Sequence, residues 1–377
     1  MAITRITNIA STIPDDSIQN SKLSNIVNFK NIIINGDMSI AQRGTSSAGI
    51  SSTGYYTVDR FNFVDSNLGT FTMSQDTDVP TGQGFSKSLK VDCTTADASP
   101  AGADYLFLQT KFEGQNLQYI KKGTSSAESL TLSFWVKSVK TGTYIVQIED
   151  VDNSSRFISK SYTIDSASTW EKKTITFAGD TTGTLAYDNS SSLELNFWLG
   201  AGTDRTSGTL QTSWGSYTAS NVAVGQVNFA DSTSNDFWIT GVQLEAGTTA
   251  SDFEFLPYDV NLKRCMRYFE RTTAVGASDN YVNFASGLAQ YSSGCVYCFL
   301  WKVTKRANPS MSATAASTFL NENGGSFPAG TSISFSQINK TSAQCDVFSS
   351  SGITQGNGAI LKSNGTYDAY IDASSEL

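Results

Sequence analysis

The strongest constraint on this chain is a two-residue alternation of apolar and polar side chains, repeated in short segments broken by Gly, Ser, Asn and Asp from about residue 30 to 257. Successive side chains of a strand point to opposite faces, so each such segment makes a half-buried strand, and many at short spacing predict an all-β sandwich or barrel. Leu130, Leu132, Phe134 and Val136 alternate with Thr131, Ser133, Trp135 and Lys137. Thr141-Gly142 then predicts a turn into Tyr144, Val146 and Ile148, giving a hairpin with one wet face. Ile175 and Phe177 alternate with Thr174 and Thr176, and Leu193, Leu195, Phe197 and Leu199 place Glu194, Asn196 and Trp198 on the reverse side. Across Phe237, Ile239, Val242 and Leu244 the apolar parity changes at Gly241, which predicts a β-bulge. Sheet-on-sheet packing follows.

At 377 residues the chain exceeds the roughly 250–300 at which one hydrophobic core stops growing, so more than one folding unit is expected. A Pro257 stop is followed by a change of period: Leu262, Cys265, Met266 and Phe269 fall at i, i+3, i+4 and i+7 on a short helix with Asp259 as N-cap. Residues 258–271 are therefore expected to be a helical linker. Its bases, Lys263, Arg264, Arg267 and Arg271, read as a solvated or acid-paired face. Residues 272–377 return to short strands. There Cys295, Tyr297, Phe299, Trp301 and Val303 form one apolar face and Val296, Cys298 and Leu300 another, which fits either a strand meeting a second copy of the chain or a central strand of an ordinary sandwich. Residues 1–29 have scattered Ile and Leu without a sustained period; they are either disordered or take their core from neighbours, as an anchoring or oligomerising segment does.

Composition narrows the chemistry. Only 16% of residues are charged, Ser and Thr supply about a quarter, and 34 acids against 26 bases give a net charge of −8, which argues against nucleic acid and anionic membrane as partners. The absence of histidine removes Ser-His-Asp and Cys-His nucleophilic chemistry and His-ligated metals. Five cysteines suggest reduced core thiols, and Cys295-x-x-Cys298 places its sulfurs on opposite faces of a strand with no completing ligands. No apolar run of 18 residues and no basic-then-apolar leader is present, so membrane insertion is not expected and the chain is expected to fold in the cytoplasm and stay soluble. No motif calls for a cofactor. Adjacent acids such as Glu149-Asp150 and Asp15-Asp16 diverge on a strand and make poor glycosidase pairs.

The run Asn31-Ile-Ile-Ile-Asn-Gly-Asp-Met-Ser-Ile-Ala-Gln-Arg-Gly44, followed by Tyr56-Thr-Val-Asp-Arg-Phe61, resembles the opening of a domain common in bacteriophage fibre proteins. Leu132-Ser-Phe-Trp-Val-Lys137, Thr169-Trp-Glu-Lys172, Phe237-Trp-Ile-Thr-Gly-Val-Gln-Leu-Glu-Ala-Gly247, Phe253-Glu-Phe-Leu-Pro-Tyr258 and Arg264-Cys-Met-Arg-Tyr-Phe-Glu270 continue the likeness over about 240 residues. That family is similar to the jelly-roll carbohydrate-binding modules, so the resemblance implies an antiparallel jelly-roll sandwich over 30–257, a short helix, and a smaller C-terminal β-sandwich over 272–377. The ending Tyr370-Ile-Asp-Ala-Ser-Ser-Glu-Leu377 resembles that of the small fibre domain, with two serines inserted into the commoner Asp-Ala-Glu-Leu. The first 29 residues are similar to segments that connect fibres to the virion. The implied protein is a non-enzymatic phage virion fibre, a homotrimer assembled in the host cytoplasm. It would be docked on other virion proteins through its N-terminal segment, displayed outside the particle and adhesive to host-surface glycan. A polysaccharide depolymerase, or a head-decorating or tail-structural fibre that binds no sugar, are the alternatives.

Sugars are held by flat aromatic faces and planar hydrogen-bonding groups, so exposed loop aromatics are the first candidates for carbohydrate binding. Trp214 and Tyr217, in a Ser/Thr/Gly-rich segment, come first, then Tyr55 beside Gly54 and Tyr105 after Ala101-Gly102-Ala103-Asp104; a tryptophan that caps the sandwich end is the plainer reading of Trp214. The loops 321–327 and 351–357 are candidates for a receptor-contacting tip. Asp37 and Glu245 stand at first- and last-strand positions that could converge on a structural calcium.

Overall fold

A computed structural model describes residues 29–273, 281–365 and 369–377. The expected anchoring segment lies outside the described residues apart from Phe29. The N-terminal unit comprises β1 (Ser46–Ile50), β2 (Asn62–Ser66), β3 (Thr70–Asp76), β4 (Ser88–Thr95), β5 (Tyr105–Glu113), β6 (Leu130–Ser138), β7 (Gly142–Asp150), β8 (Arg156–Ile164), β9 (Glu171–Phe177), β10 (Ser191–Ala201) and β11 (Asp236–Ala246). They form two antiparallel sheets, β1-β3-β4-β11-β6-β9 and β2-β5-β10-β7-β8, a jelly-roll sandwich. Its core is drawn from alternate residues of both inner faces, among them Phe63, Phe71, Phe134, Leu195, Phe197 and Ile239. Among the described residues no helix is long and apolar enough to cross a membrane.

The hairpin expected at Thr141-Gly142 does not form. β6 lies between β11 and β9, whereas β7 lies between β10 and β8 in the other sheet, so residues 139–141 carry the chain across the sandwich. The Tyr144 hydroxyl braces this crossing by donating to the Lys140 carbonyl at 2.9 Å. Nor is the outer face of β6 wet: Thr131 donates to the Gly247 carbonyl, and Lys137 pairs with Asp78 beneath the Trp238 ring, 4.0 Å from its centroid. Alternation fixes which side of a strand is buried; it does not fix which sheet the strand joins.

The bulge in β11 is present. Pairing with β6 slips between Thr240 and Gln243, and Gly241 adopts φ +62°. The backbone groups at the slip are taken up by the 31–36 segment. The Asn31 amide donates to Val242 O at 3.1 Å and accepts from Leu244 N at 3.1 Å, and Val242 N donates to Gly36 O at 2.9 Å. A methyl group at Gly241 would lie 2.6 Å from the Phe85 ring.

After the one-turn α1 (Thr203–Thr206) and the 207–235 connection, helix α2 (Tyr258–Met266) leads out of the jelly roll. Its N-cap is Pro257, and Asp259, expected as the cap, lies in the first turn and pairs with Lys263. Phe269, expected on the helix, opens β12 (Phe269–Thr273). The remaining strands are β13 (Asn283–Tyr291), β14 (Gly294–Leu300), β15 (Ser310–Ala313), β16 (Phe319–Asn323), β17 (Ser332–Ser336), β18 (Ser342–Phe348), β19 (Gly358–Ser363) and β20 (Tyr370–Ser374). Sheets β12-β20-β15 and β16-β19-β13-β14-β18-β17 share a core that includes Tyr297, Phe319, Val347, Leu361 and Ile371. Cys295 points into it and Cys298 out to solvent, so four of the five thiols are buried and Cys298 is the exception to the expected core placement.

The two units meet through buried charge. Arg60, 1% exposed, pairs with Glu376, donates to Lys111 O at 2.8 Å and stacks on Tyr268 with its Cζ 3.6 Å from the ring centroid. Burial alone would depress the Arg60 pKa; Glu376, with Tyr55, Tyr268 and Cys265 adding to it, reverses this and raises it. Arg43 also reaches Glu376 at 3.1 Å, and Arg267 forks onto Glu113 with both contacts at 2.7 Å. Beside them, burial pushes the Asp59 carboxyl up to about 6 against the lowering by Arg43 and Gln42.

Gly241→Ala combines left-handed strain with the Phe85 overlap and is expected to destabilise the protein by about 2–4 kcal/mol. Gly49→Ala, at φ +70° with open space around it, is expected to cost only the strain, about 1–2 kcal/mol. Equal melting temperatures for the two variants would contradict this account. Because the native Asp59 holds its proton above the ordinary 3.8, its contribution is fully present at low pH and is lost as pH rises through about 6. The melting-temperature difference between wild type and Asp59→Asn should therefore shrink from about pH 4 to about pH 7; a pH-independent difference would refute it.

Candidate functional site

Strand alternation gives the five-stranded sheet an outer face whose residues line up in register across it. One row runs Asn62, Gln109, Asn196, Gln147 and Ser159 from β2 to β8. Its planar amides form a chain: Asn62 Nδ2 donates to Gln109 Oε1 at 3.2 Å, Gln109 Nε2 to Asn196 Oδ1 at 3.0 Å, and Asn196 Nδ2 to Gln147 Oε1 at 3.1 Å. Asn62 Oδ1, at the end of the row, is buried without a hydrogen-bond partner. A second row places Lys111, Glu194, Glu149 and Phe157 side by side, with Lys111 Nζ 3.1 Å from Glu194 and Gln109 Nε2 donating to Glu194 at 2.8 Å. Burial raises the Glu149 pKa; the Ser155 hydrogen bond opposes this and the adjacent Glu194 adds to it.

The opposite half of this face is roofed. Residues 202–226 fold back over the sheet, and Phe107, Ile145, Phe157, Trp198, Val222 and Ala223 make a small second core there. The segment is fixed along the edge of β8: Gly215 and Phe157 exchange backbone hydrogen bonds, and Ser159 N donates to Gln211 O at 2.8 Å. Where the roof stops, Tyr217 stands 42% exposed, edge-on to Phe157 with centroids 5.7 Å apart. Tyr105 stacks on Phe107 at 5.7 Å, and the Arg205 guanidinium sits 5.4 Å from its ring. Arg205, Glu149 and Tyr105 all act electrostatically on the Tyr217 phenol, whose pKa burial raises. The arrangement joins the exposed Tyr217 ring and two partly exposed cross-strand carboxylates above a fixed array of amides that are themselves buried.

Of the residues singled out from sequence, Tyr217 and Tyr105 come together here. Trp214 does not join them: it packs against the main core, donates to Ala178 O at 2.7 Å and lies over Lys122, closing the sandwich end. Tyr55 lies in the seam between the two units, within 5.3 Å of Arg43, its hydroxyl buried and unpartnered. The loops 321–327 and 351–357 meet, with Thr354 N donating to Asn323 Oδ1 at 2.7 Å and Phe327 exposed beside them. Asp37 and Glu245 each have local donors, Asn261 for the first and Ser251 and Gln243 for the second. Among the described residues no group of three or more acids, cysteines or histidines is assembled that could hold a metal ion. The amide row was not anticipated. Its signal is a polar residue at alternate positions of three strands, in Gln109-Thr-Lys111, Gln147-Ile-Glu149 and Glu194-Leu-Asn196.

No protein-family model matches the sequence, and no curated protein matches it. Among solved structures, the chain is similar to the enzymatically active domain of bacteriophage CBA120 tailspike protein 4, at 15% identity and a TM-score of 0.30 over 58% of this chain and 21% of that one. It is also similar to a CBM4 structure, at 10% identity and a TM-score of 0.30, covering 56% of this chain and 97% of the other. A third likeness is to the family 11 carbohydrate-binding module of the Clostridium thermocellum cellulase Lic26A-Cel5E, at 12% identity and a TM-score of 0.29, covering 53% and 98%. This chain thus spans about a fifth of the tailspike domain, and likenesses at these scores assign it no activity.

Proposed function

We propose that this chain is a non-enzymatic fibre protein of a bacteriophage particle, one that adheres to host-surface glycan. The observation that carries the reading is the outer face of the five-stranded sheet, where the exposed Tyr217 stands against Phe157, Tyr105 stacks on Phe107, and the partly exposed Lys111, Glu194 and Glu149 lie beside the buried amide row Asn62, Gln109, Asn196 and Gln147. An aromatic ring covers the apolar side of a pyranose, and charged groups held in fixed orientation by the amides beneath them, Lys111, Glu194 and Glu149, meet its hydroxyls. The resemblance of the sequence motifs to phage fibre proteins supports this setting, in which residues 1–29 would be the connection to the virion. Several copies on one particle convert weak single contacts into durable attachment through effective concentration.

The reading includes a homotrimer. On the outer face of the six-stranded C-terminal sheet, Leu288 pairs across to Val296, and Cys298 and Leu300 continue the row. Leu288 is 49% and Leu300 75% exposed, surface that a second copy would cover.

A second reading, a polysaccharide depolymerase, draws on Glu149 and Glu194, which stand directly opposite each other on β7 and β10, one with a raised pKa.

On a glycan array the intact protein is expected to bind a defined subset of bacterial surface glycans, and Tyr217→Ala to weaken that binding about tenfold. Binding to none would leave a purely structural fibre, and release of new reducing ends from the bound glycan, abolished in Glu149→Gln, would favour the depolymerase. Light scattering of the intact protein is expected to give a trimer mass, and Leu300→Arg a smaller species; a monomeric wild type would refute the assembly.

A further inference from the structure

A cavity of about 530 Å³ lies where the end of the jelly roll meets helix α2, along the end of β5 from Thr110 to Glu113. Its walls carry Arg60, Lys111, Arg264 and Arg267 against one acid, Glu113, and they include the exposed Tyr119 ring and the amides of Gln115 and Asn116. Three of the four bases are neutralised: Arg60 by Glu376, Lys111 by Glu194 and Arg267 by Glu113. Arg264 is not. Its guanidinium makes no hydrogen bond and no ion pair among the described residues, and Phe29 alone offers a ring, 5.8 Å from its Cζ. Glu254, an acid near it, is already engaged by the backbone N–H groups of Phe29 at 2.5 Å and Asn31 at 3.0 Å. The other basic residues in and just after the helix, Lys263, Arg267 and Arg271, each have a carboxylate.

A half-buried guanidinium without a counter-ion is costly, and the cost is offset when an anion is bound. Burial does act on Arg264, lowering its pKa. We infer that this cavity is a binding site for a carboxylate-bearing saccharide, in which Arg264 takes the carboxylate by its planar fork, Tyr119 covers the sugar ring and Asn116 and Gln115 meet its hydroxyls. A cavity of this volume is in the size range of small-ligand sites, and a guanidinium fork matches a carboxylate with two parallel hydrogen bonds. The site adjoins the outer sheet face at Lys111 but uses neither its tyrosines nor its amide row, and it does not rest on the reading of that face.

The test uses the intact protein and calorimetric titration with oligomers of galacturonate, glucuronate, mannuronate and N-acetylneuraminate, each beside a neutral oligomer of matching length. At least one acidic oligomer is expected to bind about tenfold or more tightly than its neutral counterpart, with affinity falling as salt rises. Arg264→Gln should lose that binding by about tenfold or more, while Tyr217→Ala retains it. Failure of all four acids, or equal binding by Arg264→Gln, would overturn the inference. A melting measurement guards against a structural explanation: without ligand, Arg264→Gln is expected to melt no lower than wild type, because it removes an uncompensated charge. A clear loss of stability in Arg264→Gln would mark Arg264 as a fold determinant and would also overturn the inference.

Discussion

A guanidinium enclosed by protein must be paired, and Arg60 shows how much of this molecule is organised by that requirement. Its charge is met by Glu376, from beyond the last strand of the C-terminal unit, and its flat face by Tyr268, which follows helix α2. The jelly roll therefore carries an incomplete site that the second unit fills. Arg306 reinforces the same seam by donating to Asn189 O at 2.9 Å and to the Ser375 and Glu376 carbonyls. The two serines that lengthen the terminal motif do not separate Glu376 from the jelly roll, since Ser375 N donates to Tyr268 O at 2.7 Å and its hydroxyl to Arg267 O.

With the seam fixed in this way, the two faces of the jelly roll diverge in character. The six-stranded sheet is sealed outside by Trp238, Lys137 and the 31–36 segment. The five-stranded sheet is sealed over only part of its width, and at the edge of the sealed part stand the exposed Tyr217 and the partly exposed Glu149 and Glu194, beside amides that are themselves buried. This face has little to move, because its polar groups are already bonded to one another.

Much of the fold could be read from the residues because periodicity reports burial directly. The β10 alternation, the Gly241 bulge and the change of period after Pro257 all depend on local pattern. The β6–β7 crossing could not be read, because identical alternation serves a strand in either sheet. The pairing of Arg267 and Arg271, which follow the helix, with Glu113 and Asp372 joins residues about 100 or more apart, and only the fold brings them together. The candidate site divides along the same line. Tyr217 and Tyr105 could be suspected as aromatics in small-residue segments, whereas Trp214 in the same segment turns inward because Lys122 and Ala178 O offer it partners. The amides of the central row sit on strands whose sheet order was needed before they could be seen as neighbours.

The position of β11 has a consequence for how the chain reaches its native state. It is the last jelly-roll strand in sequence, yet it lies in the middle of its sheet, with Leu89 of β4 on one side and Val136 of β6 on the other against Ile239. Until residues near 246 leave the ribosome, both neighbours have an open hydrogen-bonding edge and the half-formed layer is two separate ribbons. Completion is thus an insertion event between partners about 100 to 150 residues away, a high-contact-order step that favours slow folding and leaves nascent chains open to edge pairing with one another.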